Sequence, residues 1–213
     1  MPYDLYVVTD REIGRGRTHQ EIALEATAGG ADIIQFRDKN LPFREFIETA
    51  QELRDITSAS GAMFIVNDRI DAALVVGADG VHLGQNDMPA AYARRLSPTG
   101  FIIGISVGDV AEAIEAESAG ADYVALSPVF STGSKDDAGP GHGLEMLSQI
   151  RSSVDIPVIA IGGIGLHNLK DVISAGADGI AVISAVAGAD DIRLAAEEMK
   201  RMIAVEKKKS GLR

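Results

Sequence analysis

Short apolar runs alternate with helical patterns from one end of the chain to the other. The runs cover residues 4–9, 32–36, 63–66, 80–83, 101–105, 123–126, 157–161 and 179–183. They are rich in Val, Ile and Leu, and several are apolar throughout, which is the pattern of strands buried on both faces. Between them, residues 18–28, 43–59, 110–119 and 190–205 carry apolar positions at helical spacing. Shorter helical segments are predicted after Asp68, Met88, Gly143 and Leu166.

One internal repeat bears on the fold. The triplet Gly-Ala-Asp occurs at Gly30–Asp32, Gly77–Asp79, Gly120–Asp122 and Gly176–Asp178, at spacings of 47, 43 and 56 residues. Each copy follows a helical pattern and precedes the second, fourth, sixth or eighth apolar run. The glycine suits the left-handed position that ends a helix, and the aspartate then opens a tight connection into the next strand. Each spacing holds two β/α units. A closed barrel has a reason for such regularity, because alternate strands supply alternate core layers; an open doubly wound sheet, the competing α/β fold, has none. The expected architecture is α/β, a single (β/α)8 TIM barrel over residues 1–205, with 206–213 as a basic polar tail that frays.

Composition narrows the function classes. In 213 residues, 46% are hydrophobic and 24% charged, an ordinary globular balance. The net charge is −11, aromatics are 5% and tryptophan is absent, so neither a basic nucleic-acid footprint nor a base-stacking platform is expected. An anionic ligand would need a local basic cluster. Cysteine is absent, which removes disulfides, thiolate nucleophiles and Cys-based metal sites. No apolar run reaches the ~18 residues of a membrane span. The start, Met-Pro-Tyr-Asp-Leu-Tyr-Val-Val, reads as a strand and not as a signal peptide. A cytoplasmic protein with no membrane partner is the expectation.

In a barrel, chemistry sits at the C-terminal strand ends. Those ends carry Thr9-Asp10, Gln35-Phe36-Arg37-Asp38-Lys39, Asn67-Asp68, His82 through Asp87, Ser106, Thr132-Gly133-Ser134-Lys135, Gly162-Gly163 and Ser184. Gln35, Arg37 and Lys39 alternate, so all three can face the mouth; pairing of the two cations with Asp38 and surface carboxylates is the bland alternative. Asp68 and Asp87, with Asn67 nearby, offer hard oxygen ligands suited to Mg2+, although each could instead cap a following helix. Gly162-Gly163 and Ser184 fall where barrels commonly bind phosphate, and a simple tight turn is the competing explanation. The segment 131–143 is glycine-rich and fits a mobile cover. His19, His82, His142 and His167 show no metal-binding spacing; His82 could line a pocket or lie satisfied in the core. No Gly-x-Ser-x-Gly elbow is present.

Several of these motifs, in this order, resemble the thiamine phosphate synthase family over roughly Leu5 to Ala185. The resemblance rests on Leu-Tyr-Val-Val-Thr-Asp at 5–10, Gln35-Phe-Arg-Asp-Lys39, and Asn67-Asp-Arg-Ile-Asp-Ala-Ala-Leu74. It continues in Gly77-Ala-Asp-Gly-Val-His-Leu-Gly-Gln-Asn-Asp-Met-Pro89, Ile103-Gly-Ile-Ser106 and Ser127-Pro-Val-Phe-Ser-Thr-Gly-Ser-Lys135, then Ala160-Ile-Gly-Gly-Ile164 and Ala181-Val-Ile-Ser-Ala185. The resemblance implies a β/α barrel transferase that joins hydroxymethylpyrimidine diphosphate to a thiazole phosphate, giving thiamine phosphate and pyrophosphate. It implies that Gln35, Arg37, Lys39, Asn67, Ser106 and Lys135 hold the pyrimidine diphosphate, with Phe36 and Asp38 beside them. Asp68 and Asp87 would bind Mg2+. Thr132, Gly133, Ser134, Gly163, Ile183 and Ser184 would line the thiazole phosphate site. Ser127 and Gly133 depart from the family's usual residues.

The implied chemistry is dissociative, with Arg37, Lys39, Lys135 and Mg2+ neutralising the departing pyrophosphate and Ser106 alongside. A related thiazole tautomerase is the nearest rival, but it carries a histidine where this chain has Ser127-Pro128. A phosphate-ligand sensor on the same fold is the rival from another class. Both substrates are small molecules; a homo-oligomer is compatible with the sequence but not specified by it.

Overall fold

The computed structural model describes residues 3–134 and 139–210. Eight strands close into one parallel barrel in sequence order: β1 (Leu5–Thr9), β2 (Ile33–Phe36), β3 (Met63–Asn67), β4 (Gly80–Leu83), β5 (Ile102–Val107), β6 (Tyr123–Leu126), β7 (Val158–Ile161) and β8 (Gly179–Val182). The helices are α1 (His19–Ala28), α2 (Phe43–Ser60), α3 (Ile70–Val75), α4 (Ala90–Leu96), α5 (Val110–Ser118), α6 (Gly143–Ser153), α7 (Leu169–Ser174), α8 (Ser184–Ala187) and α9 (Ile192–Ser210). The closed α/β barrel expected from the repeat is the one observed.

Strand alternation divides the core in two. Tyr6, Val8, Ile33, Ile65, Ile102, Tyr123, Ile159 and Ala181 pack together inside the barrel. Their neighbours, among them Val7, Ile34, Phe64, Val81, Ile103, Val124, Val158 and Ile180, pack outward with the helices. Below the mouth of the barrel both faces of the sheet are therefore buried, which is why the runs read as almost unbroken apolar segments. Gly104 makes room for the largest inner side chain: a Cβ there would lie 2.0 Å from Cζ of Tyr123.

The Gly-Ala-Asp repeat ties the lower end of each odd strand to the even strand beside it. Gly30, Gly77, Gly120 and Gly176 have φ of 91°, 63°, 91° and 102°, the left-handed turn that glycine allows. The backbone N–H of Asp32, Asp79, Asp122 and Asp178 then donates to the carbonyl of Leu5, Phe64, Ile103 and Val158, at 2.8–2.9 Å. The carboxylate of each aspartate accepts the N–H of that same residue, at 2.7–2.9 Å. A helix-borne cation completes each copy: Lys200 on Asp32, Arg54 on Asp79, Arg94 on Asp122 and Arg151 on Asp178. Each Asp thus satisfies two backbone groups and one charge where helix meets strand.

Two sequence expectations are corrected. Strand β5 runs to Val107, one residue beyond the expected end at Ser106. Residues 206–210 continue α9 instead of forming a separate tail, and 211–213 of that expected tail lie outside the described residues. Lys207 reaches back to Asp4 at 2.5 Å and to the Asp178 carbonyl at 2.6 Å, and Glu206 is buried. The cationic last turn also complements the carbonyl end of the helix.

Candidate active site

Inward alternation continues past the last dry layer and turns polar at the C-terminal mouth. Arg37, Lys39, Asn67, Asp68, His82, Asp87 and Ser106 line one cavity of about 400 Å³, together with Gln85, Ser127, Pro128 and His142. Gln35 sits just beneath, 5% exposed. The three alternating residues of the sequence are thus split by depth: Gln35 is a floor residue, whereas Arg37 and Lys39 stand at the wall.

Arg37 is held by Asp10 at the end of β1, Nη1 to Oδ2 at 3.1 Å, and Asp10 is itself fixed by the N–H groups of Glu12 and Ile13. Arg37 therefore pairs with a carboxylate, Asp10 and not Asp38. Arg37 and Lys39 are both close enough to Asp68 to oppose its protonation. The opposing influences are stronger: burial, followed by a hydrogen bond and charge repulsion from Asp87, pushes Asp68 up to about 6. Asp68 also has a left-handed backbone, φ 60°, rare for a residue with a side chain.

Neither aspartate caps a helix. The residues preceding α3 and α4 are Arg69 and Pro89, without a side-chain cap bond in either case. Asp87 instead accepts the N–H of Gly84 at 2.7 Å. Two crowded carboxylates facing a cavity, with Arg37 and Lys39 nearby, form a donor set that suits a divalent cation. Among the described residues no group of three His, Cys, Asp or Glu could hold a metal ion. Mg2+ takes one or two carboxylates and completes its shell with phosphate oxygens and water.

A second recess adjoins the first at Ser127 and Pro128. It is lined by Thr132, Ser134, Gly162, Gly163, Ile183 and Ser184, among others. Ser134 Oγ donates to Ser184 Oγ at 3.3 Å, and the Ser134 N–H donates to Thr132 Oγ1 at 3.1 Å, so three hydroxyls converge. Gly163 packs so closely on Phe130 and Ser131 that a Cβ would meet both at 2.9 Å. The backbone can approach a ligand here because no side chain fits. A Cβ at Gly133 would meet nothing within 4 Å, so packing does not demand glycine there. Lys135 lies outside the described residues, as do 136–138 of the expected cover.

Phe36 and Asp38 do not line the 400 Å³ cavity. Phe36 points outward into the helix layer, its ring 4.3 Å from that of Phe46 and 4.8 Å from His19, because it has the opposite strand parity to Gln35 and Arg37. Asp38 spends its carboxylate on the loop, accepting the N–H groups of Asn40 and Leu41 at 2.8 and 2.9 Å and pairing with His19 Nε2 at 3.1 Å. It supports the loop that carries Arg37 and Lys39 and, although absent from the lining of the 400 Å³ cavity, it lines a neighbouring recess with Arg37, Lys39, Gly133 and Ser134.

The sequence reading left His82 undecided and passed over Tyr6 and Tyr123. His82 bridges Ser106 Oγ and the Tyr123 hydroxyl, each at 2.9 Å. Tyr123 meets Tyr6 at 2.9 Å, and Gln35 Nε2 donates to Tyr6 at 2.7 Å. The inward parity of these residues was the one signal that could have found them.

Fold and site together define a β/α-barrel enzyme built for phosphorylated small molecules, with an acidic pair and cations in one recess and hydroxyls and glycines in the next. The family model described as thiamine monophosphate synthase matches residues 5–186, and the chain belongs to that family. Its members include transferases of thiamine biosynthesis. A thiamine-phosphate synthase of Methanoculleus marisnigri is 60% identical over 207 residues, covering 97% of this chain and 98% of the relative. One of Methanocella arvoryzae is 54% identical over 203 residues, covering 95% and 96%. The solved thiamine phosphate pyrophosphorylase of Pyrococcus furiosus superposes with a TM-score of 0.90 at 47% identity, covering 96% of this chain and 97% of that one.

Proposed function

We propose that this protein joins hydroxymethylpyrimidine diphosphate to a thiazole phosphate, forming thiamine phosphate and pyrophosphate. The observation that carries the reading is the pair of recesses that meet at Ser127 and Pro128. One offers cations and an acidic pair for a diphosphate; the other offers hydroxyls and exposed backbone for a monophosphate. Two phosphorylated substrates can then present their reacting atoms to each other across the shared wall.

Asp68 and Asp87 would hold Mg2+, which supplies charge neutralisation of the diphosphate and makes it a better leaving group. Arg37, Lys39 and Lys135 add positive charge around the same oxygens, where it counts most as the carbon–oxygen bond breaks. Gln35, Asn67 and Ser106 orient the pyrimidine. Thr132, Ser134, Gly163, Ile183 and Ser184 seat the thiazole phosphate. The bond to pyrophosphate breaks with its electron pair, leaving a methylene carbon whose positive charge is shared by the aminopyrimidine. The thiazole nitrogen lone pair then forms the new bond. No proton is transferred in either event, so the site needs no base or nucleophile. Alignment and exclusion of water are the remaining contributions.

No helix among the described residues is long and apolar enough to cross a membrane, and a cytoplasmic location accords with that. The deciding experiment incubates the protein with both substrates, with and without Mg2+, and measures coupled product and pyrophosphate together. Equimolar formation that depends on Mg2+ is expected. Binding of either phosphate without turnover would refute the proposal in favour of a ligand sensor.

A further inference from the structure

We propose that Tyr6 and Tyr123 are positioning residues: a hydrogen-bond chain through them crosses the barrel from Gln35 to Ser106 and sets the Ser106 hydroxyl as a donor toward the pyrimidine substrate. The inference rests on the substrate assignment above and goes beyond it by fixing the direction of a hydrogen bond.

The chain joins five strands through the interior. Gln35 Nε2 on β2 donates to the Tyr6 hydroxyl on β1 at 2.7 Å. Tyr6 and Tyr123, on β1 and β6, are 2.9 Å apart. Tyr123 and His82 Nδ1 are 2.9 Å apart, and His82 Nε2 lies 2.9 Å from Ser106 Oγ on β5. Tyr6, Tyr123, Gln35 and His82 are all less than 9% exposed. Among the described residues no buried side-chain nitrogen or oxygen lacks a partner.

Proton counting leaves one direction. The Tyr6 oxygen accepts from Gln35, so its single proton must go to Tyr123. Tyr123 then gives its own proton to Nδ1 of His82. The ring is thereby held as the neutral Nε2–H tautomer, which donates to Ser106 Oγ. Ser106 has an accepted bond behind it and its own proton left for the cavity. In the reverse direction both Nδ1–H and Tyr123 would point toward Tyr6, whose oxygen would accept twice while its proton found no acceptor. A doubly protonated His82 meets the same obstacle. A buried donor without an acceptor is the costly arrangement. Burial raises the pKa of both tyrosines, so neither loses the proton that the count requires. Gln85 Nε2 donates to the Ser106 carbonyl at 2.7 Å and steadies the far end.

The test begins with the ring-nitrogen NMR spectrum of histidine-labelled protein without substrate, the His82 signal being identified by its loss in His82→Asn. A single Nε2–H tautomer is expected in the unaltered protein, and a mixture in Tyr6→Phe and Tyr123→Phe. An Nδ1–H or charged ring in the unaltered protein overturns the proposal without any variant needing to fold. In turnover, each Tyr→Phe change should raise KM for the pyrimidine diphosphate about three- to tenfold, the worth of one hydrogen bond, and leave KM for the thiazole phosphate unchanged. An equal rise in both would mark general loosening of the barrel and count against the idea. In a Ser106→Ala background, Tyr6→Phe should add nothing, whereas an additive loss would overturn the relay. Failure of the unaltered protein to form coupled product would refute the assigned reaction and leave the spectrum to decide the relay.

Discussion

Asp68 and Asp87 crowd their carboxyl groups at the mouth of the barrel, and burial together with the Asp87 carboxylate pushes Asp68 up to about 6. Such a pair is unstable when both members are ionised, and a divalent cation relieves it. Several outcomes follow from this and from the other contacts of the barrel.

Asp68→Asn should make the protein more stable and less active. At neutral pH Asp68 is ionised against its surroundings: its raised pKa means the destabilisation develops as pH rises from 3.8 toward 6. Asparagine removes that charge and tolerates the left-handed backbone well. After allowance for solvent screening the gain is on the order of 1 kcal/mol. Thermal melts without Mg2+ at pH 7.5, alongside Mg2+-dependent turnover, check this. A lower Tm with turnover intact would argue for a structural role.

Asp79→Ala should do the opposite. It removes the acceptor of the Phe64 N–H and the partner of Arg54, far from the mouth. The expected cost is about 1–3 kcal/mol for the unpaired groups, or roughly 3–10 °C in Tm for a chain of this size. Steady-state turnover at 25 °C should be unchanged.

His19 makes stability sensitive to mild acid. Its ring is buried, with Nδ1 at 2.8 Å from Thr9 Oγ1 and Nε2 on Asp38, and burial outweighs the Asp38 carboxylate in lowering its pKa below 6.5. The unfolded chain therefore binds the extra proton first. This group costs nothing above its unfolded pKa and destabilises the fold as pH falls below it. Asp68 acts with the opposite sign in part of that range, so a comparison is needed. Urea unfolding at pH 7.5 and 5.5 should show a larger loss for the unaltered protein than for His19→Gln. Equal losses would contradict the assignment.

Gly104→Ala should be among the most damaging single methyl additions. The new carbon would collide with Cζ of Tyr123 at 2.0 Å and with its hydroxyl at 2.3 Å. Overpacking of this severity costs about 3 kcal/mol or more. Combining it with Tyr123→Leu should recover part of the stability measured by denaturant melts, because the far ring atoms are gone. If Tyr123→Leu gives no recovery, the ring is not what glycine accommodates.

Much of the barrel was legible because its signals are local or periodic. All eight apolar runs became strands, and the Gly-Ala-Asp repeat marked the even strands through a turn chemistry that acts within a few residues. Phe36 was misplaced for a reason that local reading could have caught, its outward parity, and the role of Asp38 in turning its own loop was open to the same kind of reading, since an aspartate followed by two loop residues readily turns on its own backbone. Asp68 and Asp87 could be either caps or ligands from sequence, since both roles ask for the same residue after a strand.

The sequence by itself determined the strand count, the two-sided burial and the candidate residues of the mouth, because hydrophobic alternation and turn chemistry are written in neighbouring residues. Only the closed tertiary structure decided which polar groups meet. Gln35, Tyr6, Tyr123, His82 and Ser106 come from five strands and touch only when the sheet curls onto itself, and the repulsion between Asp68 and Asp87 exists only once two separate loops are brought to one rim.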